Sequence, residues 1–499
     1  MKQGLSTQGL GCVLLAAFCV VNAFVVPVRA QTPPAETSAL AAVAAIEQAT
    51  IQAIAKAEKS VVAIARIAKE ETAREITLDR FLPGGATARG LSPLHPEFVP
   101  HEFGSGVILD KTGLILTSYH VLGELSRNDY IVWTQRRPFT AKVKAADPWL
   151  DVAVLQIAAE QLEPITLGDT QHLKKGQFVI ALGNPLGIAR DGEASAAWGI
   201  LANLKRPAPA TPEVRVRGKE TLHQYGNLLQ VDIPFAPGAS GGALINLKGE
   251  LIGLTTTLAS LDQQDRQAGF AIPVDDDFKK ALESLKVGRL PEYGFLGIAP
   301  GALAAVERQA GKQGAVVEEI VPGTPAARTK LTRGDWITHV NDLPVRDELD
   351  LVRYLSAKPA LTEVKLTYQR ADSLPQSTEV VLSKKYALTT REAYAEYRAP
   401  AWRGLRVEYS TAVPAFRELH RAIDAAGCVA VLEVEHDSPA WKAGLRSGQF
   451  ISHVNDKRVQ NPGEFAALVA KQIGPVLMRL TTASDQKLVR EVLPSTDTK

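Results

Sequence analysis

Cysteine is nearly absent. The chain has three in 499 residues, and two of them, Cys12 and Cys19, fall in its opening stretch. The region holding the motifs below has none, so a thiol nucleophile is excluded there. With the N-terminal segment removed, Cys428 stands alone and no intrachain disulfide can form; a chain this long can rely on a large core instead. Charge of one sign is missing too. Lys and Arg number 56 against 54 Asp and Glu, a formal net charge of +2, which gives no electrostatic footprint for a nucleic-acid partner. The basic residues Arg206, Arg215, Arg217 and Lys219 read as a solvated loop rather than a phosphate track. No metal and no other cofactor are expected.

What is present begins with an export signal. Lys2 supplies a positive start, Leu10 to Val28 is almost wholly apolar, and Val28-Arg29-Ala30 fits a small-residue cleavage site before Gln31. The apolar stretch approaches membrane-span length. Residues 1–30 are therefore expected to be a cleaved signal peptide or a retained anchor giving membrane association. Residues 31–59 include an alanine-rich segment, Glu36 to Glu58, with Leu40, Val43, Ile46, Ile51 and Ile54 at helical spacing, which predicts an amphipathic helix. A first strand is expected at Ser60 to Ala65. Lys69 to Phe103, where Pro and Gly cluster without periodicity, reads as a long loop. From Gly106 to Val274, short β-rich runs punctuated by Gly, Pro and Asn predict an all-β double barrel, and Asp275 to Val287 a short helix leading out.

Inside that β-rich region, Pro237-Gly238-Ala239-Ser240-Gly241-Gly242 sets a serine among glycines between two apolar runs. Glycine carries the largest backbone entropy cost, so it belongs where the chain turns sharply or another group comes close. Such a turn can bare the Ser240 hydroxyl and aim the N–H groups of Gly238 and Ser240 into one space, as a nucleophile with its own oxyanion hole requires. A bulge or hairpin turn is the alternative. Two upstream residues bear on the choice. His120 ends a strand in GSGVILDKTGLILTSYHVLG, and Asp151 opens the strand Val152 to Ile157 in AKVKAADPWLDVAVLQI. Serine is a poor nucleophile until a neutral imidazole takes its proton, and a carboxylate fixes the tautomer of that imidazole. The order His, Asp, Ser along the chain is that of the chymotrypsin-type triad. His95, His101, His172 and His223 are spare histidines. Asp147 rivals Asp151, although its place before Pro148 reads as turn chemistry.

These runs resemble the HtrA/DegP family of trypsin-like serine proteases. Family segments reading GSGFI, DGLIVTNAHV, DIALL, GNPFG, NPGNSGGPLVN and GFAIP have counterparts, in order, in GSGVI, TSYHV, DVAVL, GNPLG (Gly183 to Gly187), APGASGGALIN and GFAIPV (Gly269 to Val274). The resemblance implies a mostly β chain with a chymotrypsin-like double β-barrel over residues 60–275. It implies His120 as general base, Asp151 as orienting acid, Ser240 as nucleophile, and the backbone at Gly238, Ala239 and Ser240 as oxyanion hole. Tyr119 stands where the family usually has Ala, and Ala239 where it usually has Asn. The backbone of Thr255, Thr256 and Thr257 is expected to pair with substrate as an extra strand. No acid occurs in Ile233 to Ala239 or Leu254 to Leu258, so small or medium apolar P1 residues are expected. Arg206 aligns with an arginine that helps relay activation in the family, whose members assemble as trimers or larger cages.

The remainder holds an internal repeat. TPAARTKLTRGDWITHVNDLPV from Thr324 aligns without gaps to SPAWKAGLRSGQFISHVNDKRV from Ser438. The pattern resembles the PDZ domain, expected here at residues 292–386 and 404–495, after a linker helix at 276–291 and with a second linker at 387–403. PDZ domains bind peptides by strand addition, a loop of backbone N–H groups receiving the C-terminal carboxylate. That loop is read as Phe295-Leu296-Gly297-Ile298 in the first copy. In the second it is read as Gly404-Leu405-Arg406-Val407, where Arg406 then replaces the glycine; Gln449 replaces the acid seen as Asp335. His339 and His453 fall at equivalent places inside strand patterns and read as structural.

The expectation is an exported, periplasmic or cell-envelope serine endopeptidase that degrades unfolded or misfolded polypeptides. Its PDZ modules bind peptide segments or C-termini, and it assembles as a homotrimer or larger. A chaperone, or a scaffold with secondary or lost proteolysis, would use the same modules and stays open.

Overall fold

The computed structural model describes residues 36–69, 100, 102–184, 193–208, 221–257, 268–371, 373–386, 391–481 and 489–494. The N-terminal signal or anchor, most of the long Pro/Gly loop, His95, His101, Leu258, the run from Arg215 to Lys219 and the last three residues of GNPLG lie outside them. The chain divides into Met1–Gln48 and Ala49–Lys499. A helix runs over Glu36–Ala57. In the part belonging to the second unit, Ala53 and Ala57 are buried while Ile51 is exposed. The packed face there is Ala53 and Ala57 with Ile54 partly buried beside them, while Ile51 faces outward.

Two closed six-stranded barrels follow. The first consists of β1 (Val61–Ala68), β2 (Glu102–Ile108), β3 (Leu114–Ser118), β4 (Asn128–Thr134), β5 (Arg137–Asp147) and β6 (Val152–Gln156). Its strand order is β5-β4-β1-β2-β3-β6, with β6 returning to β5. A short β7 (Thr166–Leu167) leads to the second barrel: β8 (Phe178–Gly183), β9 (Ser195–Arg206), β10 (Leu228–Val231), β11 (Ala243–Ile245), β12 (Glu250–Thr256) and β13 (Gly269–Pro273). Its order is β11-β8-β9-β10-β13-β12, closed by β11 on β12, with β7 parallel to β12. Closure pairs the barrel strands with one another, which is how an all-β domain limits the edges that could template other chains.

Alternation along β3 explains how the barrels meet. Side chains of a strand point to opposite faces in turn. Ile115 enters the first barrel's core with Ile64 and Leu155, whereas Leu114 and Leu116 join a second core with Leu182 and Leu254 of the other barrel. All five residues of β3 are buried for that reason, and the strand delivers the next residues, Tyr119 and His120, to the junction.

A helix at Asp276–Lys286, capped by the Asp275 carboxylate accepting from Phe278 N–H, leads out of the barrels. Two similar modules complete the chain. The first orders its sheet as Ile298–Ala302, Ala315–Ile320, Trp336–Val340, Glu363–Gln369 and Gln376–Val381; the second as Leu405–Tyr409, Val429–Val434, Phe450–Val454, Val476–Thr481 and Val489–Val492. The helices Glu348–Ser356 and Pro462–Val469 occupy matching places. His339 and His453 lie on matching strands, each Nδ1 within 3.1 Å of the preceding hydroxyl residue, Thr338 or Ser452.

Candidate active site

His120 sits in a single helical turn, Tyr119–Leu122, directly after β3. Asp151 is fully buried and takes a left-handed backbone, φ 55°, which Asp tolerates better than most residues. That conformation turns its carboxylate back onto the histidine. One oxygen accepts His120 N–H at 3.1 Å and the other lies 2.8 Å from Nδ1. Asp151 C=O also accepts Tyr119 N–H at 2.9 Å. With Nδ1–H donated to the carboxylate, the lone pair falls on Nε2. This atom is buried and has no hydrogen-bond partner among the described residues.

Ser240 lies on the turn between β10 and β11, buried at 4% exposure. β2 of the other barrel holds this turn. Ser105 N–H donates to Ser240 C=O at 2.8 Å, and its hydroxyl donates to Gly238 C=O and accepts Asn184 N–H, each at 2.7 Å. Gly238 has φ +91°, and a Cβ there would fall 2.5 Å from Asn184 O and from the Phe103 ring. Only glycine fits that close approach. Ser105 belongs to the GSGVI run, whose sequence pattern gives this hydroxyl no role. On the other side of the turn, a Cβ on Gly241 would fall 3.1 Å from the backbone N of Ser118, two residues before His120. The serine turn therefore packs against the end of β3, from which the histidine turn starts.

The Ser240 hydroxyl is engaged elsewhere. Its Oγ lies 2.8 Å from Thr257 Oγ1 and accepts Thr257 N–H at 3.1 Å. Two expected backbone groups are also occupied. Ala239 N–H closes the turn onto Ala236 C=O at 3.1 Å. Thr255 gives its N–H to Gly242 C=O and its C=O to Gly241 N–H, so it cannot pair with an incoming strand. Thr256 pairs with Phe270 of β13, and Thr257 N–H is already the donor to Ser240 Oγ. Arg206 stands apart from this set of contacts, at the end of β9, its Nε donating to Gln230 Oε1 at 3.2 Å.

Aromatic and titratable groups fill the space behind Asp151. His223 is buried, its Nε2 2.8 Å from Leu150 C=O, and burial holds its pKa below the usual imidazole value. Trp149 packs against Tyr225 and Tyr293, ring centroids 6.1 and 6.4 Å apart, and the Lys385 ammonium lies 3.4 Å above the Trp149 ring. Asp147, the rival acid, is buried and accepts the Tyr293 hydroxyl and Trp149 N–H. Burial pushes its pKa up to about 6 against the hydrogen bonds from Tyr293 and the backbone. Its role is thus to anchor the chain leaving the barrels.

Between the ordinary carboxylate pKa and about 6, the folded chain keeps a proton that the unfolded chain releases. Stability is therefore lost as pH rises through that window and is level above it. The size is about 3 kcal/mol for a shift of this order. Asp147→Asn should remove that slope, as read by urea unfolding at pH 4.5 and 7; a wild type and variant with parallel profiles would contradict it.

The first module carries an apolar groove of about 200 Å³ between the start of Ile298–Ala302 and the helix Glu348–Ser356. Phe295, Leu296, Gly297 and Ile298 line one wall, Leu351 and Leu355 the other, and Tyr225 and Lys385 stand at its border. In the second module the expected loop needs correction. Gly297 C=O accepts Val321 N–H, and a Cβ on Gly297 would strike Thr324; Gly404 C=O accepts Glu435 N–H, and a Cβ there would strike Ser438. Thr324 and Ser438 are repeat equivalents, so Gly404, not Arg406, matches Gly297. Arg406 lies two residues into the strand, paired with Glu433 and Glu435. Arg403 takes the place of Leu296 and donates to the carbonyls of Gln472, Ile473 and Gly474. The Gly404-Leu405 pair fits the loop pattern in two registers, and the contact with Ser438 selects between them.

Comparison with known proteins agrees with this layout. Residues 104–254 match the trypsin-like peptidase domain, and residues 294–382 and 431–482 each match a PDZ domain. The chain is 30% identical over 388 residues to the periplasmic pH-dependent serine endoprotease DegQ of Escherichia coli, covering 77% of this chain and 78% of DegQ. It is 32% identical over 299 residues to the serine protease PepD of Mycobacterium tuberculosis, covering 57% of this chain and 61% of PepD. Among solved structures, the HtrA-type protease AlgW with decapeptide aligns at a TM-score of 0.48 and 22% identity, over 67% of this chain and 98% of AlgW. Fold and matches together define a trypsin-like serine endopeptidase with two PDZ modules. The chain belongs to the HtrA/DegP family of serine proteases.

Proposed function

We propose that this endopeptidase is exported and digests unfolded polypeptides, with Ser240 as nucleophile, His120 as general base and Asp151 as orienting acid. The observation that carries the reading is the His120 ring, gripped at Nδ1 by the buried Asp151 carboxylate on a turn that starts where the Ser240 turn packs against β3. For reaction, the Ser240 hydroxyl turns from Thr257 to Nε2, gives up its proton and attacks the scissile carbonyl. Gly238 and Ser240 N–H groups hold the oxyanion. His120 then protonates the leaving amine, and water hydrolyses the acyl-enzyme. Thr257 N–H serves twice: it holds Ser240 Oγ at rest, and a substrate strand pairing there draws it away.

A cleft that reads its substrate by strand pairing accepts extended chain, which folded proteins withhold; unfolded polypeptide is the substrate class. DegQ is named periplasmic, as is a DegP-like relative from Halomonas elongata, and we extend that location to this chain. The groove of the first module receives apolar C-termini. In the second, Arg403 fills the corresponding wall with a guanidinium committed to its own carbonyls. Assembly as a homotrimer or larger is carried over from the family.

Digestion of casein, with sequencing of the fragment ends, tests this reading. Cleavage after small or medium apolar residues is expected, because the stretches flanking the cleft, Ile233–Ala239 and Leu254–Thr257, offer no acid. Cleavage mainly after Lys or Arg overturns the specificity, and intact casein leaves a peptide-binding scaffold instead.

A further inference from the structure

The segment between the two PDZ modules is not free chain where it is described. β4 pairs with only the first half of β5, Arg137 to Ala141. The second half of β5 pairs with β6 along one edge, and its other edge is taken by the inter-module strand Tyr394–Ala395, with Tyr394 opposite Ala146 and Ala395 opposite Ala145. The contact continues on both sides. Glu396 N–H donates to Lys144 C=O at 2.9 Å and its carboxylate meets Lys144 Nζ at 3.0 Å. Tyr397 N–H donates to Gly288 C=O at 2.9 Å, with the Arg289 guanidinium 4.0 Å above its ring. At the near end, the buried Tyr119 hydroxyl donates to Glu392 C=O at 2.9 Å.

Two attachments thus converge on the candidate triad from one strap. β5 runs straight into the turn that holds Asp151, and Tyr119 precedes His120 while giving its own N–H to Asp151 C=O. Tyr119 is one of the two departures from the family pattern in the motifs above, and its side chain is the one that reaches the strap. Burial pushes its phenol up to about 12, so the group stays a donor throughout the working range.

We propose that residues 392–397 act as a strap that positions the His120–Asp151 pair, with Tyr119 as the positioning residue that links strap to histidine. This rests on reading His120 as the general base. The position of the second module, which continues from the strap, then bears on the geometry of the triad without any peptide in a groove.

The test uses the full-length chain. Tyr119→Phe removes only the hydroxyl. Glu396→Pro removes the donor to Lys144, while Glu396→Gln keeps the strand and loses only an exposed ion pair of little worth. On a short peptide substrate, Tyr119→Phe and Glu396→Pro should each lower kcat about fivefold with KM unchanged, the scale of one neutral hydrogen bond. Both should shift the acid limb of the pH profile, and the double variant should lose little more than either single. Glu396→Gln should match wild type. Hydrogen exchange gives a second readout that needs no activity: Glu396→Pro should speed exchange at Tyr119–Leu122 as well as at Ala145 and Ala146. Faster exchange confined to the strap and β5, or unchanged kcat and pH profile in both variants, overturns the proposal. A wild type that shows the exchange coupling but no Ser240-dependent cleavage would instead fault the reading of His120 as base.

Discussion

Ser240→Ala leaves casein intact under conditions where the native chain digests it, a loss of about 10⁶ in kcat on the scale set by removing other serine-protease nucleophiles. The substitution deletes one oxygen. That atom contacts only Thr257 in the hydrogen bonds described for it, and a lost neutral hydrogen bond of this kind costs about 1 kcal/mol. The turn itself is held through backbone groups and Ser105, which alanine leaves in place. Chemistry therefore vanishes while the fold and the groove of the first module remain. Casein should still associate with the variant, and gel filtration of the mixture checks that alongside the digestion assay.

Asp151→Asn lowers kcat by about 10⁴. Asparagine keeps the volume and tolerates the left-handed backbone at φ 55°, so the change is in proton bookkeeping rather than shape. An amide N–H₂ facing Nδ1 makes that nitrogen the acceptor and forces the proton to Nε2. A protonated Nε2 cannot take the serine proton. The carboxylate also balances the imidazolium that forms during attack, and an amide does not. Asp151 is fully buried, so water cannot substitute for it. Steady-state kinetics beside a thermal melt separates the two cases: a large loss of kcat with a near-native melt supports the assignment, and native-like kcat contradicts it.

Much of this architecture is legible along the chain because its causes are local. Alternation in β3 and β6 and glycine spacing around Ser240 each occur within a few residues. The ungapped repeat from Thr324 and Ser438 sets the two modules because both copies obey the same packing. What escapes is long-range. Nothing near Tyr119 shows that its hydroxyl finds Glu392, nor near Asp147 that a tyrosine 146 positions away covers it. The register of the second module's loop needs the contact between Gly404 and Ser438, which composition cannot supply. The occupied backbone of Ala239 and Thr255 is likewise a property of how the turn closes. The hydroxyl of Thr257 on Ser240 carries no sequence signal, although its place after LIGL puts it at the end of the strand beside the nucleophile.

An activated Ser240 is the one feature that every step of the mechanism requires. Labelling the full-length chain with a fluorophosphonate, with and without unfolded casein, and locating the adduct by peptide mass spectrometry tests this directly. The expected result is a single adduct on Ser240, formed faster with casein present and nearly abolished in Asp151→Asn. No adduct on Ser240 under either condition, or an adduct that Asp151→Asn forms at the native rate, would contradict it.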